Sequence, residues 1–313
     1  MAALLRTSFT ADVAIVGGGP AGLMAALVLA RAGRSVRLVD AGRGRNERAG
    51  HAHNVFGLDG TPPETLRAVG RAQAEAYGAV FVHARAELAS VDDAGVTLQL
   101  DDGQSIDARH LLLATGVTDK LPAIPGIREA WGSTAIHCPY CHGAELKGRP
   151  TAVLNATPQV AAMLASLVTG WTDNVTLLTN GPSPLSEEEA EKLAARGIAV
   201  HEDKVVSVDV AGSEVQGINL ANGTRIPATA LYLHPDQVPS GPLVAQLGLE
   251  MTESGHVQVD QMGKTSLPRV WACGDMAIPK MQAISMATSQ AFATAAMINM
   301  NLVVDEKVGF KNV

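Results

Sequence analysis

The chain of 313 residues is 47% hydrophobic, holds 31 glycines and carries a net charge of −7. Its length allows about two domains, and its acidic balance argues against a nucleic-acid partner, whose phosphates reward a basic face. No apolar run reaches the roughly 18 residues that span a bilayer, residues 1–10 lack the apolar core of an export signal, and three cysteines are too few for a secreted disulfide framework, so a cytoplasmic protein is expected.

The predicted elements begin with a strand at 12–16, a glycine-rich turn, and an Ala/Leu-rich helix over 22–32 closed by Gly33. A buried strand at 35–39 ends on Asp40, completing a βαβ unit. Residues 41–63 are polar and rich in Gly, His and Pro, the composition of a functional loop. A helix is expected at 65–77, with strands at 80–82, 86–91, 96–100 and 110–114 and a turn at Asp102-Gly103. Pro122, Pro125 and Gly126 mark a linker over 120–126. A second α/β pattern spans 127–234, with strands at 151–154 and 175–179 and a helix over 158–168 between them. Ser186 opens another helix, whose Glu187, Glu188 and Glu189 suit the positive end of its dipole. Strands near 198–201, 204–210 and 214–220 follow, then a linker at 234–242, a strand at 270–273 and a helix over 282–299. The fold class is α/β, with two Rossmann-like three-layer domains. The first is split into 1–120 and 236–313, and the second, 121–235, is inserted.

Gly17-Gly18-Gly19-Pro20-Ala21-Gly22 matches G-x-G-x-x-G between a strand and a helix. Gly17 makes the tight turn, Gly19 admits a pyrophosphate to the helix N-terminus, and Gly22 lets helix and strand approach. Asp40, at the end of the next strand, is placed to bind ribose hydroxyls. The motif alone does not separate NAD from FAD. Leu113-Ala114-Thr115-Gly116 resembles the A-T-G stretch of flavoproteins with two dinucleotide domains, and residues 270–275, ending in Cys273-Gly274-Asp275, resemble their second FAD signature. That resemblance implies that Asp275 contacts the ribityl chain, and that Gln282-Ala283 open a helix aimed at the isoalloxazine. Cys273 itself reads as a small buried hydrophobe.

Cys138-Pro139-Tyr140-Cys141-His142-Gly143 carries the redox signal. Paired thiols in C-x-x-C share charge, so one is activated as a thiolate. Zinc and a structural disulfide are the other readings of such a pair. Zinc needs four ligands, and no second pair exists, although His137 and His142 could contribute.

With these motifs in view, nearly the whole chain is similar to the low-molecular-weight thioredoxin reductases. The resemblance implies that Cys141 faces the flavin and Cys138 exchanges with substrate. Two departures from that family follow. Its inserted domain carries a glycine-rich NADPH fingerprint, whereas the turn here reads Asn155-Ala156-Thr157-Pro158-Gln159-Val160. The family's basic motif for the 2′-phosphate is replaced by Thr179-Asn180-Gly181-Pro182, with three glutamates beyond. Loss of NADPH binding is expected. His142 stands where the reductases have an acid, and an imidazole can take a thiol proton near neutrality. This combination resembles the FAD-dependent dithiol oxidases of natural-product pathways, of the gliotoxin, holomycin and romidepsin type. Their R-N…H-x-H loop is matched by Arg45-Asn46 and His51-Ala52-His53, which implies that Arg45, Asn46 and His53 line the FAD. The implied partners are a small-molecule dithiol, O2 and a second copy of the chain.

Overall fold

The computed structural model describes residues 10–155, 157–182 and 185–307. The export-signal reading of 1–10 therefore falls almost wholly outside the described residues, as does Ala156 of the turn after the strand at 151–154. Contacts divide the chain into two units. One holds the described residues up to Glu47, Asn54–Thr118, and those from Gln237 onward; the other holds Arg48–His53 and Asp119–Asp236. Among the described residues no helix is long and apolar enough to cross a membrane.

The first unit is built on a seven-stranded sheet. Beyond Asp12 near its start, Ala11–Val16 is apolar on both faces, as a strand covered by helices must be. It pairs in parallel with Val36–Asp40 on one side and Ser105–Leu113 on the other. The long strand Ser105–Leu113 changes partner along its free edge. Its first half pairs antiparallel with Val96–Leu100, and its second half pairs parallel with Val270–Ala272. The carboxyl-terminal segment is thereby brought beside the glycine turn. Helix Pro20–Arg31 packs on Ile284–Lys307, where Ala25, Ala26, Ala291 and Ala295 are fully buried and let the helices approach closely. The helix expected at 65–77 is Pro63–Glu75. It starts earlier because proline is tolerated at the first helical position, where its missing N–H costs nothing.

The second unit has a five-stranded parallel sheet in the order Ala199–His201, Val175–Leu178, Thr151–Leu154, Ala230–Leu233, Ala135–Ile136. A three-stranded antiparallel sheet of Val205–Ala211, Glu214–Leu220 and Arg225–Ile226 accompanies it. Ala230–Leu233 and Ala135–Ile136 were not anticipated from sequence, although every residue of both is buried. Helix Glu187–Ala195 starts in a capping box: the Ser186 hydroxyl accepts the Glu189 N–H, and the Glu189 carboxylate accepts the Ser186 N–H.

Candidate active site

In the first unit, the turn between Ala11–Val16 and Pro20–Arg31 is held by sterics that only glycine meets. Gly17 has φ +110°, and a Cβ there would lie 2.3 Å from the Ala114 carbonyl oxygen. A Cβ on Gly22 would lie 1.8 Å from the Gly17 oxygen. Gly19 differs: an added Cβ would meet nothing within 4 Å, and no side chain caps the helix at this end. The result is a helix N-terminus whose approach is open, the arrangement that binds a pyrophosphate. Asp40 accepts a hydrogen bond from Gly18 N–H through Oδ1 at 3.0 Å, which orients the carboxylate and leaves Oδ2 as an acceptor for a ribose hydroxyl.

The residues expected along the flavin are drawn together from distant parts of the chain. Arg45 Nη1 donates to Asp275 Oδ2 at 2.9 Å and to Gln282 Oε1 at 2.6 Å. Gln282 exchanges amide hydrogen bonds with Gln237 at 2.7 and 3.0 Å, and Gln237 is in turn 3.3 Å from His256 Nε2. Gln237 and His256 were not singled out in the sequence, which offers no signal for them. Gly274 is needed for a reason that the sequence did not suggest. Its φ is +77°, and a Cβ would press on Ala21 at 2.9 Å, so this glycine lets the signature loop reach the first helix. Asn46 lies beside Pro20 and Ile284 in a mainly apolar cleft of this unit, and Ala283 directly precedes the last helix. Cys273 is fully buried among Ala21, Ala114 and Trp271, and burial pushes its thiol up to about 12.

In the second unit, Cys138 lies just past the carboxyl end of Ala135–Ile136 and begins the short helix Pro139–His142. Pro139 sits in the first turn, and Cys141 N–H donates to Cys138 O at 3.1 Å. One helical turn brings the two sulfurs to one face. The Cα atoms are 5.3 Å apart and the cysteines form a disulfide. The chain stays close under the pair because Gly143 packs on Trp171; a Cβ there would lie 2.6 Å from the indole. His142 follows directly. Burial holds its imidazole below the ordinary value, Glu145 opposes that shift, and His53 adds to it. His53 groups with this unit, and its Nε2 lies 3.2 Å from Glu145 Oε1.

The carboxyl edge of the same sheet carries the turn that follows Thr151–Leu154. Asn155 Oδ1 accepts the Thr157 N–H at 2.8 Å, so this side chain occupies a backbone donor of the turn. At the end of Val175–Leu178, the Thr179 hydroxyl donates to Gly181 O at 2.6 Å, and Asn180 Oδ1 accepts Val205 N–H at 2.8 Å. Both polar side chains are engaged within the protein.

An open glycine cradle with a ribose acid in one unit, and a disulfide followed by a histidine in another, define a dinucleotide-dependent disulfide oxidoreductase. The chain belongs to the pyridine nucleotide-disulphide oxidoreductase family, whose profile matches residues 11–291. It is similar to "Thioredoxin reductase tcpT" of Claviceps purpurea (strain 20.1), with 32% identity over 283 residues, covering 87% of this chain and 88% of the relative. Among solved structures, HlmI shares 36% identity over 95% of this chain and 94% of its own, with a TM-score of 0.87. The putative thioredoxin reductase TrxB of Bacillus anthracis matches with a TM-score of 0.89 and 27% identity, over 94% and 99% of the two chains. The thioredoxin reductase-like members of the family are FAD-binding flavoproteins, and the cradle of Gly17, Gly19, Gly22 and Asp40 fits that group.

Proposed function

We propose that this oxidoreductase is a dithiol oxidase that closes an intramolecular disulfide in a small-molecule, natural-product dithiol, with O2 as the final acceptor. The observation that supports the reading is the hydrogen bond of Asn155 in the turn after Thr151–Leu154. Asn155 caps Thr157 where a nucleotide-binding turn would present glycine, and no basic side chain stands in 179–182. Hydrogen bonds to charged groups are worth about 1.5–3 kcal/mol each, so losing two costs roughly 3–6 kcal/mol, or 10²–10⁴ in affinity for NADPH. Electrons then enter through the cysteine pair itself.

One substrate thiolate attacks Cys138 Sγ, the Cys138–Cys141 bond breaks, and Cys141 leaves as a thiolate. His142 takes the proton of the second substrate thiol. That thiolate attacks the substrate sulfur of the mixed disulfide and expels Cys138, so the product leaves as a cyclic disulfide and the pair is left reduced. When bound, FAD supplies the two-electron acceptor that restores the Cys138–Cys141 bond, and O2 takes up those electrons as H2O2. The protein contributes orientation of the sulfurs and control of thiol protons. The expected partners are the dithiol, O2 and a second copy of the chain, and the expected setting is the cytoplasm.

The names of the relatives favour a second reading, a disulfide reductase fed by NADPH or another donor such as ferredoxin. Anaerobic bleaching of the flavin separates the two. The oxidase reading expects bleaching by a small dithiol alone, reversed by air with one H2O2 per disulfide formed. Rapid bleaching by NADPH would overturn it.

A further inference from the structure

The helical winding at the cysteine pair does not end at His142. Gly143 N–H donates to Pro139 O at 2.7 Å, and Leu146 N–H donates to His142 O at 3.3 Å. His142 and Glu145 therefore stand three residues apart on one turn, a spacing at which side chains meet. The Glu145 carboxylate is also held by His53, at 3.2 Å. His53 arrives on Arg48–His53, a segment far upstream that groups with this unit. Arg48, at its other end, donates from Nη1 to Arg128 O at 2.7 Å, and Gly132 leaves room for Arg48, since a Cβ there would come within 3.0 Å of the Arg48 Cβ. The segment is thus fastened at both ends, and one fastening is the carboxylate next to the catalytic turn.

We propose that Glu145 and His53 are positioning residues for His142: Glu145 sets the imidazole's basicity, and His53 holds Glu145 and tempers its charge. This rests on His142 being the base of the thiol–disulfide step. Such a base must be neutral at working pH yet basic enough to accept a thiol proton. Burial alone drives the His142 ring toward its neutral, weakly basic form; Glu145 pulls it back, and charge on His53 limits that pull. Among the described residues these two charges act on His142, one from its own turn and one from Arg48–His53. From the buried strand Ala230–Leu233, Tyr232 also feels Glu145, but burial raises its phenol so that it stays neutral throughout. The Glu145 and His53 side chains are 44% and 24% exposed, so solvent screens the pair and the effect is modest.

The test is a titration of the oxidised holoenzyme carrying 13C-labelled histidine, with the His142 resonance assigned by its loss in His142→Asn. Glu145→Gln is expected to lower the His142 midpoint, and His53→Gln to raise it, each by about half a pH unit. Glu145→Asp restores most of the wild-type value. The acid limb of anaerobic flavin bleaching by dithiothreitol moves in the same two directions. A merely structural role would move both variants alike or leave the midpoint in place, and either result overturns the proposal. Neither readout uses O2, so absence of H2O2 release would sink the oxidase reading and leave this one standing. If His142→Asn kept the acid limb, the base assignment and this inference would fall together. If that variant lost the limb while Glu145→Gln and His53→Gln left it unmoved, this inference alone would fall.

Discussion

Replacing Gly19 by alanine separates what the glycine turn does for the fold from what it does for the cofactor. Gly19 has φ −76° and ψ −179°, an extended backbone open to any residue, and its Cβ direction is empty to 4 Å. Folding loses only the difference between glycine and alanine at an N-cap, about 1 kcal/mol, which lowers Tm by roughly 2–4 °C. FAD binding suffers more. The methyl group stands where phosphate oxygens reach the first helical N–H groups, and two lost charge-assisted hydrogen bonds remove about 3–6 kcal/mol, or 10²–10⁴ in Kd. Gly22→Ala is the contrast: its Cβ would fall 1.8 Å from a backbone oxygen, so the apoprotein itself must shift, at a cost of about 1–3 kcal/mol or more. The assay is thermal melting of the apoprotein alongside FAD titration by flavin fluorescence quenching. If Gly19→Ala bound FAD as the wild type does, or melted as low as Gly22→Ala, the cradle argument would be refuted.

Cys138→Ser and Cys141→Ser should each abolish dithiol-driven flavin bleaching while leaving bound FAD at one per chain, measured by absorbance; normal turnover in either would rule out the disulfide route. His110 is buried, with its imidazole pushed down to about 4 by burial and by Arg269 and Arg109. A depressed pKa means that the unfolded chain binds the extra proton first, so stability present above pH 6.5 is lost as pH falls from 6.5 to about 4, amounting to about 3 kcal/mol. His110→Gln should flatten the fall of Tm over that window, and an unchanged slope would assign the acid sensitivity elsewhere. Ser186→Ala removes a reciprocal cap and should cost about 1 kcal/mol in chemical unfolding, whereas Ser186→Asp should restore most of it.

What could be read from the sequence depended on whether a constraint was local. Gly17, Gly22 and Asp40 were legible because a turn, a helix contact and the end of the next strand, all within one βαβ unit, impose them. The Cys138–Cys141 pair was legible because its spacing alone closes one helical turn. The Arg45–Asp275 contact was not, since 230 residues separate the partners and nothing in either neighbourhood marks the other. Ala230–Leu233 escaped because four consecutive buried residues show no period by which a strand could be told from a helix. The R-N…H-x-H resemblance placed His53 with Arg45 at the flavin, but the loop divides. Arg45 stays with Asp275, and the chain from Arg48 to His53 joins the cysteine unit.

If the proposed oxidase reading holds, two local changes would separate the chain from a reductase. On the proposed reading, closing the nucleotide site needs little, because Asn155, Thr179 and Asn180 hydrogen-bond to neighbouring backbone. On that reading a proton acceptor at the cysteine pair needs more, because a half-buried imidazole at position 142 is pushed toward its neutral form and Glu145 opposes the shift. Glu145 lies one turn further along the same segment, and His53 keeps it in place. The two sites follow different strands of one sheet: Thr151–Leu154 and Val175–Leu178 on one side, Ala135–Ile136 on the other. A chain restored to glycine at 155 alone should therefore still fail to bind NADPH, since the basic contacts at 179–182 would remain absent; measurable NADPH affinity in Asn155→Gly would show that the turn, and not the charge, had closed the site.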